Sequence, residues 1–286
     1  MAGIKNYLSL VVFAHTVFAM PFAVSGFFLA TEYSGYPFQW ITLILVIACM
    51  VFARNAAMGF NRWADRRIDG RNPRTAGREI PRGIISGNAA LLFSLANAGA
   101  FIIATAFLNP LCLWLSPVAL AVVLGYSYTK RFTWLCHLIL GLGLSLAPIG
   151  AYIAVAGEFH WLPLMFSAIV ITWVGGFDII YALPDEDFDK ANHLWSVPSR
   201  IGKKKALVFS SILHLFPPLL LLLAGILAPF GIFYWIGSII FTGLLVYQHT
   251  LVKPNDLTRV NRAFGTTNGM ASVIFALFLL AELLIR

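Results

Sequence analysis

Nine apolar windows, each about 17–25 residues long, make up most of this chain and leave little freedom in what it can fold into. They lie near residues 8–30, 40–62, 88–108, 111–128, 133–156, 161–183, 205–226, 231–252 and 264–285. At about 1.5 Å rise per residue, a helix of that length crosses the ~30 Å hydrocarbon core of a bilayer. A barrel strand would need only ~10 residues and a strict apolar–polar alternation, which these windows lack. Asn109–Pro110 and Ala228–Pro229 cut longer apolar runs into tight hairpins, because proline ends one helix and suits the first turn of the next. Hydrophobic residues make up 59% of the 286 and charged residues 11%, against roughly a quarter charged in a soluble domain. That balance excludes an ordinary soluble enzyme, a disordered chain and a nucleic-acid-binding module. The expected fold is an all-α membrane protein. About nine transmembrane helices form a single bundle capped by loops on one side, and residues 1–286 form one domain.

Charge is costly in a bilayer, so its distribution is informative. The chain carries 20 Lys and Arg against 12 Asp and Glu, a net charge of +8. Nineteen of the 20 basic residues precede the first window or fall at the end of, or after, an even-numbered one. Arg54, Arg62, Arg66, Arg67, Arg71, Arg74, Arg78 and Arg82 surround the second–third connection, and Lys130 and Arg131 follow the fourth window. Residues 31–39, 109–110, 157–160 and 228–230, the opposite loops, contain neither Lys nor Arg. By the positive-inside rule the N-terminus and the basic loops are cytoplasmic, in a multi-pass protein of the inner (cytoplasmic) membrane. Only Lys5 precedes the first window, which is long enough to span and reads as a membrane helix rather than a cleavable leader. Cys49, Cys112 and Cys136 read as reduced packing residues.

Eight of the 12 acidic residues fall in two places on the same face. In the first, Asn61, Asp65 and Asp69 are spaced i, i+4, i+8 and share one side of a helix. Carboxylates one turn apart repel, and a divalent cation held by carboxylate and amide oxygens would relieve them; Mg²⁺ suits such a site and completes its shell with phosphates and water. In the second, Asp178, Tyr181, Asp185 and Asp189 trace one helical stripe, with Pro184 loosening the helix between them. Asp178 lies deepest in the apolar segment, where an ionisable residue is a functional candidate. The two clusters are four windows apart and read as a parallel repeat of one helix–motif–loop unit.

A basic collar surrounds both clusters: Arg74 and Arg78 in a Pro-punctuated loop, Lys130 and Arg131 after Tyr126 and Tyr128. Topology signalling and headgroup contact account for Lys203, Lys204, Lys205 and Arg259. The remaining cations suit a polyphosphate, which Arg binds bidentately and Lys as a point charge. Metal-binding acids and cations at the ends of apolar helices suit a ligand with a diphosphate head and a long hydrocarbon tail. Departure of the diphosphate leaves an allylic cation that aromatic faces stabilise. Phe60, Trp63, Tyr126, Tyr128, Phe177 and Tyr181 are the candidates for that role.

These residues resemble the UbiA superfamily of intramembrane aromatic prenyltransferases, the 4-hydroxybenzoate polyprenyltransferase-like members in particular. Its NxxxDxxxD motif is matched by Asn61, Asp65 and Asp69, and its DxxxD motif by Asp185 and Asp189, preceded by a DxxYA element at Asp178, Tyr181 and Ala182. The Arg74-Thr75, Arg78, Pro81 and Gly83 loop and the Lys130-Arg131 pair are also family-like, and the likeness runs along essentially the whole chain. The resemblance implies a two-Mg²⁺ site that transfers a polyprenyl group from its diphosphate to an aromatic acid in respiratory quinone biosynthesis. It implies metal-site roles for Asn61, Asp65, Asp69, Asp185 and Asp189, the four aspartates being catalytic. Diphosphate binding falls to Arg74, Arg78, Lys130 and Arg131, and acceptor binding to Arg54, Asn61, Asp178 and Tyr181.

Two segments depart from the pattern. Leu8 to His15 contains no basic residue, where 4-hydroxybenzoate enzymes often carry an Arg. Trp195-Ser196-Val197-Pro198 replaces a Lys-Ser-Thr element. Both keep open a naphthoate acceptor, as in menaquinone synthesis. A reading from a different class is an ion-coupled transporter, but its acids would sit near the midplane within inverted repeats. The six histidines form neither an i, i+4 pair nor HExxH and read as packing or interfacial residues. Gly141-Leu-Gly143 lies in an apolar helix and is no nucleotide loop, and Gly265 and Gly269 form a GxxxG expected to let the last helix pack closely.

Overall fold

The structure is a computed structural model describing residues 3–12 and 18–285. Among these residues every named element is helical. The helices are α1 (Ile4–Leu10), α2 (Met20–Phe28), α3 (Trp40–Ala64), α4 (Arg66–Asp69), α5 (Gly87–Ala106), α6 (Pro110–Thr129) and α7 (Cys136–Ala156). They continue with α8 (Trp161–Ala182), α9 (Glu186–Ala191), α10 (Val197–Leu213), α11 (Phe216–Leu227), α12 (Ile232–Leu251) and α13 (Asn268–Ile285). Eight helical stretches are long and apolar enough to cross a membrane. They match eight of the nine expected windows, and Asn109 and Pro110 cap the α5–α6 hairpin as expected, the Asn109 side chain accepting from the Cys112 N–H at 2.9 Å.

The remaining window, 8–30, is not one continuous α-helix among the described residues; residues 13–17 and His15 with them lie outside that description. The chain turns after α1 at Val11 and Val12, and Val12 takes a φ of 45°, unusual for a β-branched residue. Two arginines of α3 account for this break by taking carbonyls that a continuing helix would use. Arg62 Nε donates to Leu10 O at 3.3 Å and Arg54 Nη2 donates to Val12 O at 2.9 Å. Ser9 also hydrogen-bonds to Glu79. The seventh window begins earlier than expected, at Val197, and bends at Gly202, whose φ of 79° is available to glycine without strain.

Large apolar side chains stand on the outer surface, Trp114 at 79% exposed and Ile239 at 70% among them. A water-facing protein rarely shows so many, whereas lipid-facing helices must. The interior is aromatic: Trp173, Tyr152, Tyr234, Phe22, Phe166, Phe241 and Phe275 are fully buried. One buried polar network links four helices. Trp173 Nε1 donates to Asn268 Oδ1 at 2.9 Å, Asn268 Nδ2 to Gln248 Oε1 at 3.1 Å, and His214 bridges His249 at 2.8 Å and the Trp173 carbonyl at 2.9 Å. This network pins α8, α12 and α13 to the end of α10, and gives His214 and His249 the packing role expected of them.

Helix α7 packs against α2, α6 and α8, and two glycines allow the close approach to α2 and α8. A Cβ on Gly26 of α2 would lie 2.1 Å from the Pro148 carbonyl oxygen, and one on Gly141 of α7 would lie 2.4 Å from that of Ile171 in α8. Both obstacles are backbone atoms that cannot swing aside. Gly265 does not behave this way: the space around it is open, and it lies in a wide turn, Arg262–Thr267, ahead of α13. The expected close approach is therefore missing at Gly265. Gly141→Ala should destabilise the detergent-solubilised protein by about 1–3 kcal/mol, seen as a lower Tm. Gly143→Ala, whose Cβ would meet only Val123 Cγ1 at 3.6 Å, should leave Tm nearly unchanged. Equal shifts in the two variants would contradict this packing account.

Candidate active site

Two interrupted helices deliver the acidic motifs to one place. At the end of α3 the helical bonding continues through the break: Asp65 N donates to Asn61 O at 2.9 Å and Asp69 N to Asp65 O at 2.8 Å. Asn61, Asp65 and Asp69 therefore keep one face, as their spacing predicts. After α8 a tight 3₁₀ turn, Leu183–Asp185, carries Pro184, which cannot supply the amide an α-helix would need. Short helix α9 follows and places Asp189. Asn61, Asp65, Asp69, Asp178, Tyr181, Asp185 and Asp189 all line one cavity of about 120 Å³.

Burying four carboxylates requires compensation, and each has its own cation. Arg131 Nη2 donates to Asp65 Oδ1 at 3.1 Å, and Arg78 Nη1 to Asp69 Oδ1 at 2.7 Å. Arg74 makes a two-pronged contact with Asp185, its Nε at 2.9 Å from Oδ1 and its Nη2 on Oδ2. Lys130 Nζ stands 3.8 Å from Asp189 Oδ1. These are the four cations expected to bind diphosphate, matched one to one with the four aspartates. Burial raises the carboxyl of Asp65 above its ordinary range, and Lys130 and Arg131 only partly offset this. Burial disfavours the Lys130 ammonium, yet Asp189 and Asp65 outweigh that and hold its pKa above normal. Arg74 is likewise buried, and Asp185 reverses the effect.

Backbone and side-chain bonds fix the collar. Asn72 Oδ1 accepts from the Arg74 N–H at 2.9 Å while its Nδ2 donates to Asp185 Oδ1 at 3.0 Å, so one residue shapes the loop and ties it to the second motif. Thr75 Oγ1 donates to the Asp69 carbonyl at 3.0 Å. Ser196 Oγ donates to Asp189 Oδ2 at 2.9 Å, and the Trp195 N–H to Lys130 O at 2.6 Å. Asp178 Oδ2 pairs with His137 Nδ1 at 2.6 Å.

Two buried carboxylate oxygens, Asp69 Oδ2 and Asp189 Oδ1, have no hydrogen-bond partner among the described residues. One belongs to each motif. Orphaned acceptors of this kind are costly, and hard oxygen donors with spare lone pairs suit a Mg²⁺-like cation. Among the described residues no three His, Cys, Asp or Glu side chains form a ready-made metal cage.

Two expected site residues lie off the cavity wall. Arg131 grips Asp65 from outside, also donating to Ala64 O at 2.8 Å and lying 4.7 Å over the Tyr128 ring. Arg54 is two turns deeper in α3; its Nη2 is used on Val12 O, but its buried Nη1 has no hydrogen-bond partner among the described residues. Of the aromatic candidates, Tyr126 and Tyr181 line the cavity, whereas Phe60, Trp63 and Tyr128 contact one another away from the lining. Tyr181 stacks on Phe264 at 4.0 Å and carries Arg74 4.6 Å over its face. From there rings step inward through Phe264, Phe177, Trp173 and Phe22 at 5.1–5.5 Å.

Sequence reasoning missed Asn72, His137, Ser196 and Phe264 as parts of this site. Asn72 offered a signal, since Asn before Pro is a turn former. His137 offered none: its partner is 41 residues away.

Known proteins share the sequence and the fold of this chain. The 4-hydroxybenzoate octaprenyltransferase of Aliivibrio fischeri (strain MJ11) is 32% identical over 251 residues, covering 87% of this chain and 85% of that protein. The Edwardsiella ictaluri (strain 93-146) protein of the same name is 33% identical over 241 residues, covering 84% and 83%. Among solved structures, the apo form of a UbiA homolog from Aeropyrum pernix K1 superposes with a TM-score of 0.81 at 29% identity, covering 95% of this chain and 97% of that one. A UbiA homolog from Archaeoglobus fulgidus bound to GPP and Mg²⁺ shares the fold, with a TM-score of 0.75 at 19% identity over 97% and 99%. Residues 19–279 match the UbiA prenyltransferase family, and with this cavity at the ends of its membrane helices the chain belongs to that family.

Proposed function

We propose that this enzyme transfers a polyprenyl group from an isoprenyl diphosphate to an aromatic acid of the 4-hydroxybenzoate kind, with Mg²⁺, in respiratory quinone biosynthesis. The observation that carries this reading is the matched set of four buried aspartates and four cations around one cavity, with an orphaned oxygen in each acidic motif. The names of the Aliivibrio and Edwardsiella relatives support the acceptor class. Family membership removes the transporter alternative. The basic collar lies on the cytoplasmic face of the inner membrane, with the N-terminus on the same side.

Asn61, Asp65, Asp69, Asp185 and Asp189 hold the metal, two ions in all, and bound Mg²⁺ supplies the positive charge that makes diphosphate a better leaving group. Arg74, Arg78, Lys130 and Arg131 neutralise the diphosphate oxygens. The C1–O bond of the prenyl diphosphate breaks with its electron pair on oxygen. A ring carbon of the acceptor then bonds to C1 and loses its proton. Tyr126 and Tyr181 bring aromatic rings into the wall beside the developing cation, the two faces of Tyr181 being covered by Phe264 and Arg74. The spare Nη1 of Arg54 suits the acceptor's carboxylate, while Asn61, Asp178 and Tyr181 border the ring.

Asp65→Ala and Asp185→Ala should each lower prenyl transfer at least ~100-fold while the protein still accumulates in membranes; full activity with Mg²⁺ present would sink the two-metal reading. Turnover should stop in EDTA and return with Mg²⁺, and transfer that persists in chelator would contradict metal dependence. Arg54→Ala should raise KM for an acidic acceptor about 10- to 100-fold, the loss of one charge-assisted contact, and leave KM for the prenyl diphosphate within about twofold. Offering 4-hydroxybenzoate, dihydroxynaphthoates and homogentisate to the purified protein separates the ubiquinone and menaquinone readings. The departure at Trp195–Pro198 is the feature that keeps the naphthoate arm in that comparison.

A further inference from the structure

The reaction needs an acceptor ring that is electron-rich and correctly aimed, and the metal-binding carboxylates are already committed. Asp178 is the remaining acid in the cavity wall. It lies seven residues before Asp185, about two helical turns deeper toward the apolar interior. Among the described residues no Lys or Arg pairs with it; its partner is His137 of α7, a side chain only 4% exposed.

The hydrogen bonds define the state of that imidazole. The Val197 backbone N–H donates to His137 Nε2 at 3.3 Å, so Nε2 presents a lone pair. Nδ1 therefore carries the proton and donates to Asp178 Oδ2 at 2.6 Å. Val197 is the first residue of α10, whose amide would otherwise be an orphan of the helix start. The next residue, Pro198, has no amide, and the following one, Ser199, donates to Ser196 Oγ at 3.2 Å. His137 is thus the acceptor for the one free amide of that turn. Asp178 Oδ1 makes no hydrogen bond among the described residues, and the side chain is 15% exposed in the cavity wall.

We propose that His137 is a positioning residue for prenyl transfer: held by the Val197 amide, it fixes Asp178 Oδ2 so that Oδ1 accepts a hydrogen bond from the hydroxyl of the aromatic acceptor. A carboxylate on that hydroxyl pushes electron density into the ring and aims the reacting carbon, while His137 itself touches no reacting atom. The same short strap serves both halves of the site, because Ser196 holds Asp189 and Val197 holds His137. It is the segment in which this chain departs from the family pattern, so the proposal gives Trp195-Ser196-Val197-Pro198 a function in acceptor placement. It rests on the prenyltransferase reading above, with Asp178 on the acceptor side.

The test uses the full-length protein in membranes, with the acceptor that wild type prenylates, and measures KM for each substrate separately. His137→Ala should raise acceptor KM or lower kcat by about 10- to 100-fold and leave KM for the prenyl diphosphate within about twofold. His137→Gln can accept from the Val197 amide and donate to Asp178 with one side chain, and should recover most of the loss. His137→Leu, of similar bulk with no polar atom, should not. Equal effects on both substrates, or equal activity in the Gln and Leu variants, would overturn the proposal and leave His137 a packing residue. Should the Ala variant fail to accumulate, the Gln–Leu comparison decides alone. Nitrogen-15 NMR of the labelled histidines provides a readout independent of turnover: Val197 bonding predicts a neutral ring protonated on Nδ1, and an Nε2-protonated ring would refute the geometry. If wild type transfers no prenyl group to any phenolic acid, the functional reading fails instead, and the two failures are told apart.

Discussion

The site depends on one constraint: four carboxylates are buried at the end of an apolar bundle, and none can remain charged there alone. Asp189 is only 1% exposed, and the other three motif aspartates are nearly as enclosed. Isolated charges in such surroundings cost several kcal/mol each even after relaxation. The protein compensates by assigning Arg131, Arg78, Arg74 and Lys130 one aspartate apiece. These pairs are poor devices for stability, since packed apolar side chains would serve as well. They make sense as places where charge is to be exchanged. The loops around them, Asn72 above all, hold the cations at positions that long flexible side chains would not keep on their own.

The architecture that brings the pairs together is a repeated device. Each half contributes a long membrane helix, a break and a short helix: α3 to α4 in the first, α8 to α9 in the second. The breaks differ in kind. Asp65 interrupts α3 with i→i−4 bonding maintained, so the motif keeps its helical face. Pro184 forces a 3₁₀ turn, so Asp185 and Asp189 are brought in by a tightened chain rather than a straight helix. Cross-links then join the halves: Asn72 and Arg74 from the first reach Asp185 of the second, and Lys130 reaches Asp189.

Much of this was legible in the chain because it is locally encoded. Membrane windows follow from composition over about 20 residues, and the two acidic stripes from helical spacing over a dozen. Whatever depends on a distant partner was not. The α1 break is set by Arg54 and Arg62, some 40–50 residues further on, taking the carbonyls of Val12 and Leu10. His137 is indistinguishable from a packing histidine until α8 brings Asp178 to it and α10 brings the Val197 amide. The aromatic candidates divided the same way: Tyr181 is in the wall while Trp63 packs against Leu10, Ile85 and Ala90, a difference of helix rotation that composition cannot carry. Gly265 matched a pairing motif, yet open space surrounds it because a wide turn displaces that part of the chain.

The pairing also explains how a polyanion can enter without overloading an apolar site. The four pairs sum to zero charge. In the proposed reaction a prenyl diphosphate brings about −3 and two divalent ions +4, so the filled site would differ from the paired one by about a single charge. Either component alone would shift the site by three or four charges in a medium where each is expensive. In that reaction, carboxylates released by their cations would meet metal and the released cations would meet phosphate, so every charge would leave one partner for another. The orphaned oxygens of Asp69 and Asp189 mark where this exchange is incomplete in the paired state, since each still lacks a hydrogen-bond partner. Binding of metal and diphosphate is therefore expected to be mutually dependent, a coupling that follows from electroneutrality in a dry cavity and needs no movement of the helices.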